Sequence, residues 1–146
     1  MLTTQEVIEN FEFLDDWEAR YAYLVELGEA LPPLAEALRT KDNKVQGCIS
    51  QVWVCPLQDP GDPAKLVYVG DCDTAIIKGV LALLIGLMSA RTPQEIDALD
   101  IDGLFDELKL AENLSPNRHF GIYAIVELMK AQARKVAEGD APSVLA

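Results

Sequence analysis

The sequence predicts an α+β fold, a small antiparallel β-sheet with helices packed on it, and three observations carry that prediction. Residues 49–55 and 66–69 are rich in β-branched and aromatic side chains. The segment between them, 56–63, holds three prolines and a glycine that interrupt both runs, which is the pattern of an antiparallel hairpin. On either side of the hairpin, apolar residues recur at helical spacing. The length, 146 residues, suits one domain that buries about two-thirds of the surface its unfolded chain exposes, without covalent staples.

Thr3 and Glu6 stand as a capping box, and Val7, Ile8, Phe11 and Leu14 follow as the apolar face of a short first helix. Asp15 and Asp16 can cap a second helix, in which Trp17, Tyr21, Leu24 and Val25 lead to a glycine stop at Gly28. Its aromatic residues Trp17, Tyr21 and Tyr23 read as packing and not as a ligand groove. Leu31-Pro32-Pro33-Leu34 starts a short third turn with proline at its first position. After the hairpin, Asp71 or Asp73 caps a helix over 74–90 whose apolar residues occupy nearly every face, so it is expected to lie buried across the sheet. Thr92-Pro93-Gln94-Glu95 is a further capping box, 102–110 gives a short helical segment, and Ser115-Pro116 opens a final helix toward Glu138 that stops before Gly139. With no repeat and only short connections, 1–146 reads as a single domain: N-terminal helices in 1–42, a loop and strands in 43–72, a helical part in 73–139 and a loose tail in 140–146.

Twelve Lys and Arg against 24 Asp and Glu give a net charge of -12, which repels phosphate backbones and excludes nucleic acid as an expected partner. The charge is uneven. Residues 1–42 carry ten acids against three bases, whereas 43–72 sum to -1, so an acidic region lies beside a nearly neutral thiol segment. That asymmetry reads either as steering toward a basic partner surface or as ordinary solubility. The strongest apolar run, 79–88, is bounded by Lys78 and Arg91 and falls short of the roughly 18 residues of a membrane span. The N-terminus lacks the basic and apolar regions of a signal peptide, so the expected location is the cytoplasm, with no membrane association. Three cysteines, Cys48, Cys55 and Cys72, with no C-x-x-C pair, argue against a disulfide framework and fit a reducing compartment.

Acid-base catalysis would have one histidine to draw on, His119, and no serine elbow or orienting motif accompanies it; it reads as a surface or capping residue. Six and sixteen residues separate neighbouring cysteines, unlike the close pairs of zinc and iron-sulfur sites. Asp71-Cys72-Asp73 lacks the glycine and terminal glutamate of a calcium loop, and there is no glycine-rich phosphate loop. Thiol chemistry remains. Residues 43–47 are polar and turn-like while 48–55 favour an extended chain, which places Cys48 at a loop-to-strand junction. Gly47 lets the backbone take a positive φ there and lets a partner group approach the next residue's sulfur. Cys55 and Cys72 read as structural, with a resolving role as the alternative.

Five ordered blocks resemble the SufE family of sulfur acceptors in iron-sulfur cluster assembly. They are Trp17-Glu18 with Arg20-Tyr21, Glu26-Leu27-Gly28 and Leu31-Pro32; then Asn43 and Val45-Gln46-Gly47-Cys48 with Ser50-Gln51-Val52-Trp53, the most specific block. Gly70-Asp71 with Asp73 and Ile76-Ile77-Lys78-Gly79, and Leu114-Ser115-Pro116 with Arg118 and Gly121, complete a match close to full length. The resemblance implies a fold similar to SufE and to the IscU-type scaffolds of the same pathway. It implies that Cys48 accepts sulfane sulfur from the persulfide of a cysteine desulfurase of the SufS/CsdA type, stimulates that enzyme, and passes sulfur toward a cluster scaffold such as the SufBCD complex. The chain would then be a sulfur-transfer accessory protein and not an enzyme in its own right. It would carry a covalent persulfide on Cys48 and no cofactor, pyridoxal phosphate belonging to the desulfurase, with homodimerisation left open. Gln46, Gly47, Asp73 and Arg118 are the residues expected to position the loop or the partner; a helix cap for Asp73 and a carboxylate pair for Arg118 are the plain alternatives.

Cys72 stands where relatives often have serine, His119 follows Arg118, and Cys55 adds a third thiol. A cluster scaffold or metal-binding protein using all three thiols, and a thiol peroxidase in which Cys55 or Cys72 resolves oxidised Cys48, are the other classes the residues allow.

Overall fold

Helix α1 (Thr4–Phe13) starts where Thr3 Oγ1 accepts the N–H of Glu6 at 3.1 Å, and α2 (Trp17–Glu29) where Asp16 Oδ1 accepts the N–H of Ala19 at 2.8 Å. The structure, a computed structural model, describes residues 3–48, 50–114 and 116–139, with side chains described throughout except at positions 4, 111, 113 and 116–118. Arg20 closes the corner between the two helices by donating to the carbonyls of Phe11 and Leu14, both at 3.0 Å. Trp17 and Tyr23 meet the Phe11 ring edge-on and Tyr21 tilts against Trp17, all packed on the core, as the aromatic spacing predicts.

Gly28 does not stop α2. The helix runs on to Glu29 and its cap, Ala30, is right-handed. The glycine serves a close crossing instead: a Cβ at Gly28 would stand 2.8 Å from the backbone nitrogen of Gly79 on α3 (Ala75–Met88). The turn expected at Pro32 also falls later, as a 3-10 turn over Glu36–Leu38. Leu31 and Pro32 each precede a proline, which disfavours the helical region for both.

The hairpin is longer than its prolines suggest. Strands β1 (Val52–Asp59) and β2 (Asp62–Cys72) pair antiparallel with Pro56 opposite Tyr68; the register shifts between Gln58 and Asp59, which leaves Pro63 out of the pairing, and Pro60 and Gly61 make the turn, where Asp59 Oδ1 accepts the N–H of Gly61 at 2.9 Å. Pro56 faces Tyr68, whose N–H turns away from β1 to Ser89 Oγ at 3.0 Å. This is therefore a non-hydrogen-bonded pair, and the missing N–H of Pro56 points off the ladder at no expense.

Helix α3 is buried at ten positions, from Ile76 to Met88, and packs on α2 and β2 as its continuous apolar character predicts. Neither Asp71 nor Asp73 caps it; Thr74 is its N-cap, without a side-chain hydrogen bond. Both carboxylates are engaged elsewhere, as described below. The capping box at Thr92 and Glu95 forms as expected and opens α4 (Pro93–Asp97). The segment expected over 102–110 is two helices, α5 (Ile101–Leu108) and α6 (Leu110–Asn113), divided at Lys109, whose φ is +55°. Asp100 caps the first of them through the N–H of Gly103 at 3.0 Å. The last helix, α7 (Pro116–Ala137), lies against β1, α3 and α4, and Gly139 follows it at φ +106°. Ser115 and residues 140–146 lie outside the described residues. Among those described, no helix is long and apolar enough to cross a membrane.

Candidate functional site

The chain enters the Cys48 loop along the free edge of β1. Val45 donates its N–H to the Val52 carbonyl at 2.8 Å, and Val54 donates to the Asn43 carbonyl at 2.9 Å. Asn43 is fastened further: its side chain donates to the Leu38 carbonyl at 2.9 Å and accepts from Gln132 of α7 at 3.4 Å. The loop leaves the sheet after Val45, with Gln46 and Gly47 exposed. Gly47 takes φ +84°, a left-handed conformation that side chains resist and glycine adopts freely.

The returning end is held by Asp73 and Thr74. Asp73 Oδ1 accepts the N–H of Gln51 at 3.0 Å, its own N–H donates to the Gln51 carbonyl at 3.2 Å, and the Ser50 and Thr74 hydroxyls meet at 2.5 Å. These bonds extend the hairpin ladder beyond Val52 and Cys72 and engage Asp73 in the loop, which is why it is not available to α3. Asp71 faces Trp53 and binds the Arg39 guanidinium at 2.6 Å and the Lys78 ammonium at 3.3 Å. Burial works against the Asp71 carboxylate, yet the hydrogen bonds from Arg39, the Cys72 N–H and Lys78 hold its pKa below the ordinary range. The Arg39 guanidinium also lies over the Trp53 ring, 5.0 Å from its centre.

Between these two anchors Cys48 is half-buried, and its sulfur rests on α7. The resting place is a notch made by Gly121: a Cβ there would stand 2.7 Å from Cys48 Sγ. One turn further on, a Cβ at Gly47 would be 3.9 Å from Ala124 Cβ. Sequence reading placed Gly121 in a family block without a task. The signal was a glycine inside a strong helical pattern, which often marks a close approach. Gln132 gave no comparable signal.

The other thiols are enclosed. Cys55 is fully buried, and its thiol reaches the Pro56 carbonyl at 3.6 Å. Cys72 is 7% exposed; its sulfur accepts the N–H of Thr74 at 3.4 Å and donates to the Thr74 carbonyl at 3.6 Å. Burial pushes the Cys72 thiol up to about 11, with the charges of Asp73, Cys48 and Asp71 adding to the rise. His119 stacks on Tyr123 with ring centres 4.8 Å apart, and the Tyr123 hydroxyl donates to Asp102. The Arg118 side chain lies outside the described residues. Thus Gln46, Gly47, Cys48 and Asp73 form one loop-and-strand unit, while His119 is engaged beside α5. Among the described residues no three His, Cys, Asp or Glu side chains gather as a metal-binding group.

Residues 5–133 match the SufE family, described as an Fe-S metabolism associated domain. An uncharacterised SufE-like protein of Rhizobium etli is 42% identical over 136 residues, spanning 92% of this chain and 91% of that protein. One from Rhizobium meliloti is 37% identical over 145 residues, spanning 98% of this chain and the whole of its own. The solution structure of a hypothetical protein from Thermus thermophilus shares the fold with a TM-score of 0.75 at 20% identity, over 95% of this chain and all of that one. The chain belongs to the SufE family of proteins associated with iron-sulfur metabolism.

Proposed function

We propose that this protein is a sulfur acceptor and carrier that takes sulfane sulfur from the persulfide of a cysteine desulfurase onto Cys48, stimulates that enzyme and delivers the sulfur for iron-sulfur cluster assembly. One observation carries the reading: Cys48 alone of the three cysteines escapes full enclosure, on a loop whose two ends are hydrogen-bonded to the hairpin.

In the transfer, the Cys48 thiolate attacks the outer sulfur of the donor persulfide. The donor's sulfur-sulfur bond breaks, its cysteine leaves as thiolate, and a new sulfur-sulfur bond makes Cys48 the persulfide. No electrons are exchanged with a third party, so neither a redox cofactor nor a resident metal enters the step. Rate depends on thiolate fraction and on intrinsic nucleophilicity, which oppose each other, and on access. Access is where this chain contributes. The Gly121 notch shelters the sulfur at rest, and docking draws the loop outward while its ends stay fastened by Asn43, Val45 and Asp73. Gln46 and Gly47 lie exposed at the leading edge of that movement. Arg118, near the start of α7, is assigned a role in positioning the loop or the partner.

The reading is tested by desulfurase turnover, followed as alanine released from cysteine by a SufS-type enzyme under reducing conditions. Wild type accelerates turnover and Cys48→Ser does not. Equal acceleration by both would remove Cys48 from the mechanism.

A further inference from the structure

Phe120 is 72% exposed on a helix whose neighbouring positions, Gly121 and Ile122, are buried. It stands one residue before Gly121, on which the Cys48 sulfur rests, and one turn before Ala124, which faces Gly47. Leu128, further along α7, packs on the core, and Glu127, two turns on in the direction of Phe120, is exposed. A large apolar ring is therefore kept in water next to the thiol loop, on a helix seated against β1 and α3.

Isolated exposed apolar residues are common and need no explanation. This one differs by position. A donor protein must bring its sulfur to within about 3.5 Å of Cys48, and a standard interface covers roughly 800 Å² on each partner, a disc of roughly 16 Å radius. Phe120 is the immediate chain neighbour of the residue on which the thiol rests, so a footprint of that radius centred on Cys48 reaches its position on α7. Aromatic side chains near the centre of an interface carry a large share of binding energy, because they bury much area with little loss of rotamer freedom.

We propose that Phe120 is the aromatic anchor of the sulfur-donor interface: it enters an apolar pocket on the donor protein beside the persulfide-bearing cysteine and registers Cys48 against that sulfur. The proposal rests on the reading of Cys48 as the acceptor. It names the donor's surface chemistry, an apolar recess flanking a persulfide, and it assigns recognition to α7 while the loop supplies the chemistry.

The test compares wild type, Phe120→Ala and Phe120→Leu as acceptors from two donors, a SufS-type cysteine desulfurase supplied with cysteine and inorganic polysulfide. The ring is exposed, so both variants should melt with the wild type. With the desulfurase, the concentration of Phe120→Ala giving half-maximal loading rises about 30-fold while the maximal rate changes little, and Phe120→Leu falls between. With polysulfide, which has no footprint, all three load equally. Half-maximal concentrations that match for wild type and Phe120→Ala would overturn the anchor. So would an equal loss with both donors, which places the effect on the loop itself. Sedimentation in which the wild type self-associates and Phe120→Ala is monomeric would also overturn it, by assigning the ring to a second copy. Undiminished loading of Cys48→Ser from the desulfurase would instead overturn the acceptor reading, whatever Phe120 does.

Discussion

At the scale of single residues, the site turns on what is absent at two glycines. Gly47 adopts φ +84°, and Gly121 leaves room for a sulfur that any side chain would displace. Gly121→Ala should therefore push Cys48 off α7. Alanine is favoured over glycine inside a helix by about 1 kcal/mol, so the helix gains what the displaced loop loses. Stability should change little while the iodoacetamide labelling rate of Cys48 rises several-fold. An unchanged rate would mean that the notch does not shelter the thiol. The Gly47 turn and the Cys48 junction were legible in the sequence, because polar turn residues give way there to an extended run. The partner of that sulfur was not. Gly121 lies 73 positions further on, and only packing brings the two together. For Asp73 the sequence offered a helix cap or a place beside the loop, and its bond to Gln51 replaces the cap that its place before α3 had suggested.

Among the elements, the caps at Thr3, Asp16 and Thr92 were readable, since each acts within three residues of itself, whereas the cap of α3 was not, because Asp71 and Asp73 are drawn to partners elsewhere and leave Thr74 in that place. Strand length was harder to read. Pro56 looks like a strand end until the neighbouring N–H of Tyr68 is seen to turn outward, which makes the position tolerant. Gly28 looked like a helix stop for the same reason, a local cue whose real cause is a neighbour far along the chain. Helices α2 and α3 cross there, with Gly79 against the backbone of Leu24 and Gly28 against Gly79. Gly79→Ala puts a methyl where the Leu24 carbonyl stands, and the backbones must separate. A loss of about 3 kcal/mol in urea unfolding is expected, against a gain of up to about 1 kcal/mol from propensity alone. A stabilised variant would contradict the close crossing.

Across the whole molecule, pH couples to folding through a thiol outside the proposed transfer step. Cys72 is held up to about 11 from an ordinary value of 9.0, chiefly by burial. Between those values the folded chain keeps a proton on Cys72 that the unfolded chain has released, so the Cys72 contribution to stability falls as pH rises from about 9 toward about 11 and levels beyond, where the raised pKa values of Tyr68 and Tyr123 continue the decline. Cys72→Ser removes that group, and its urea midpoint should decline less steeply over the same range. Matching slopes would place the alkaline sensitivity elsewhere. The net charge of -12 acts at the same scale. It keeps the chain soluble, and any attraction it exerts on a basic surface is long-range and weakened by salt.

The central claim, that Cys48 receives the sulfur, is met most directly by intact-protein mass spectrometry. Wild type and Cys48→Ser are incubated anaerobically with a SufS-type cysteine desulfurase, pyridoxal phosphate and cysteine. The wild type should gain the mass of one sulfur atom, lost on reduction, and Cys48→Ser should gain none. Equal loading of the two proteins would contradict the account.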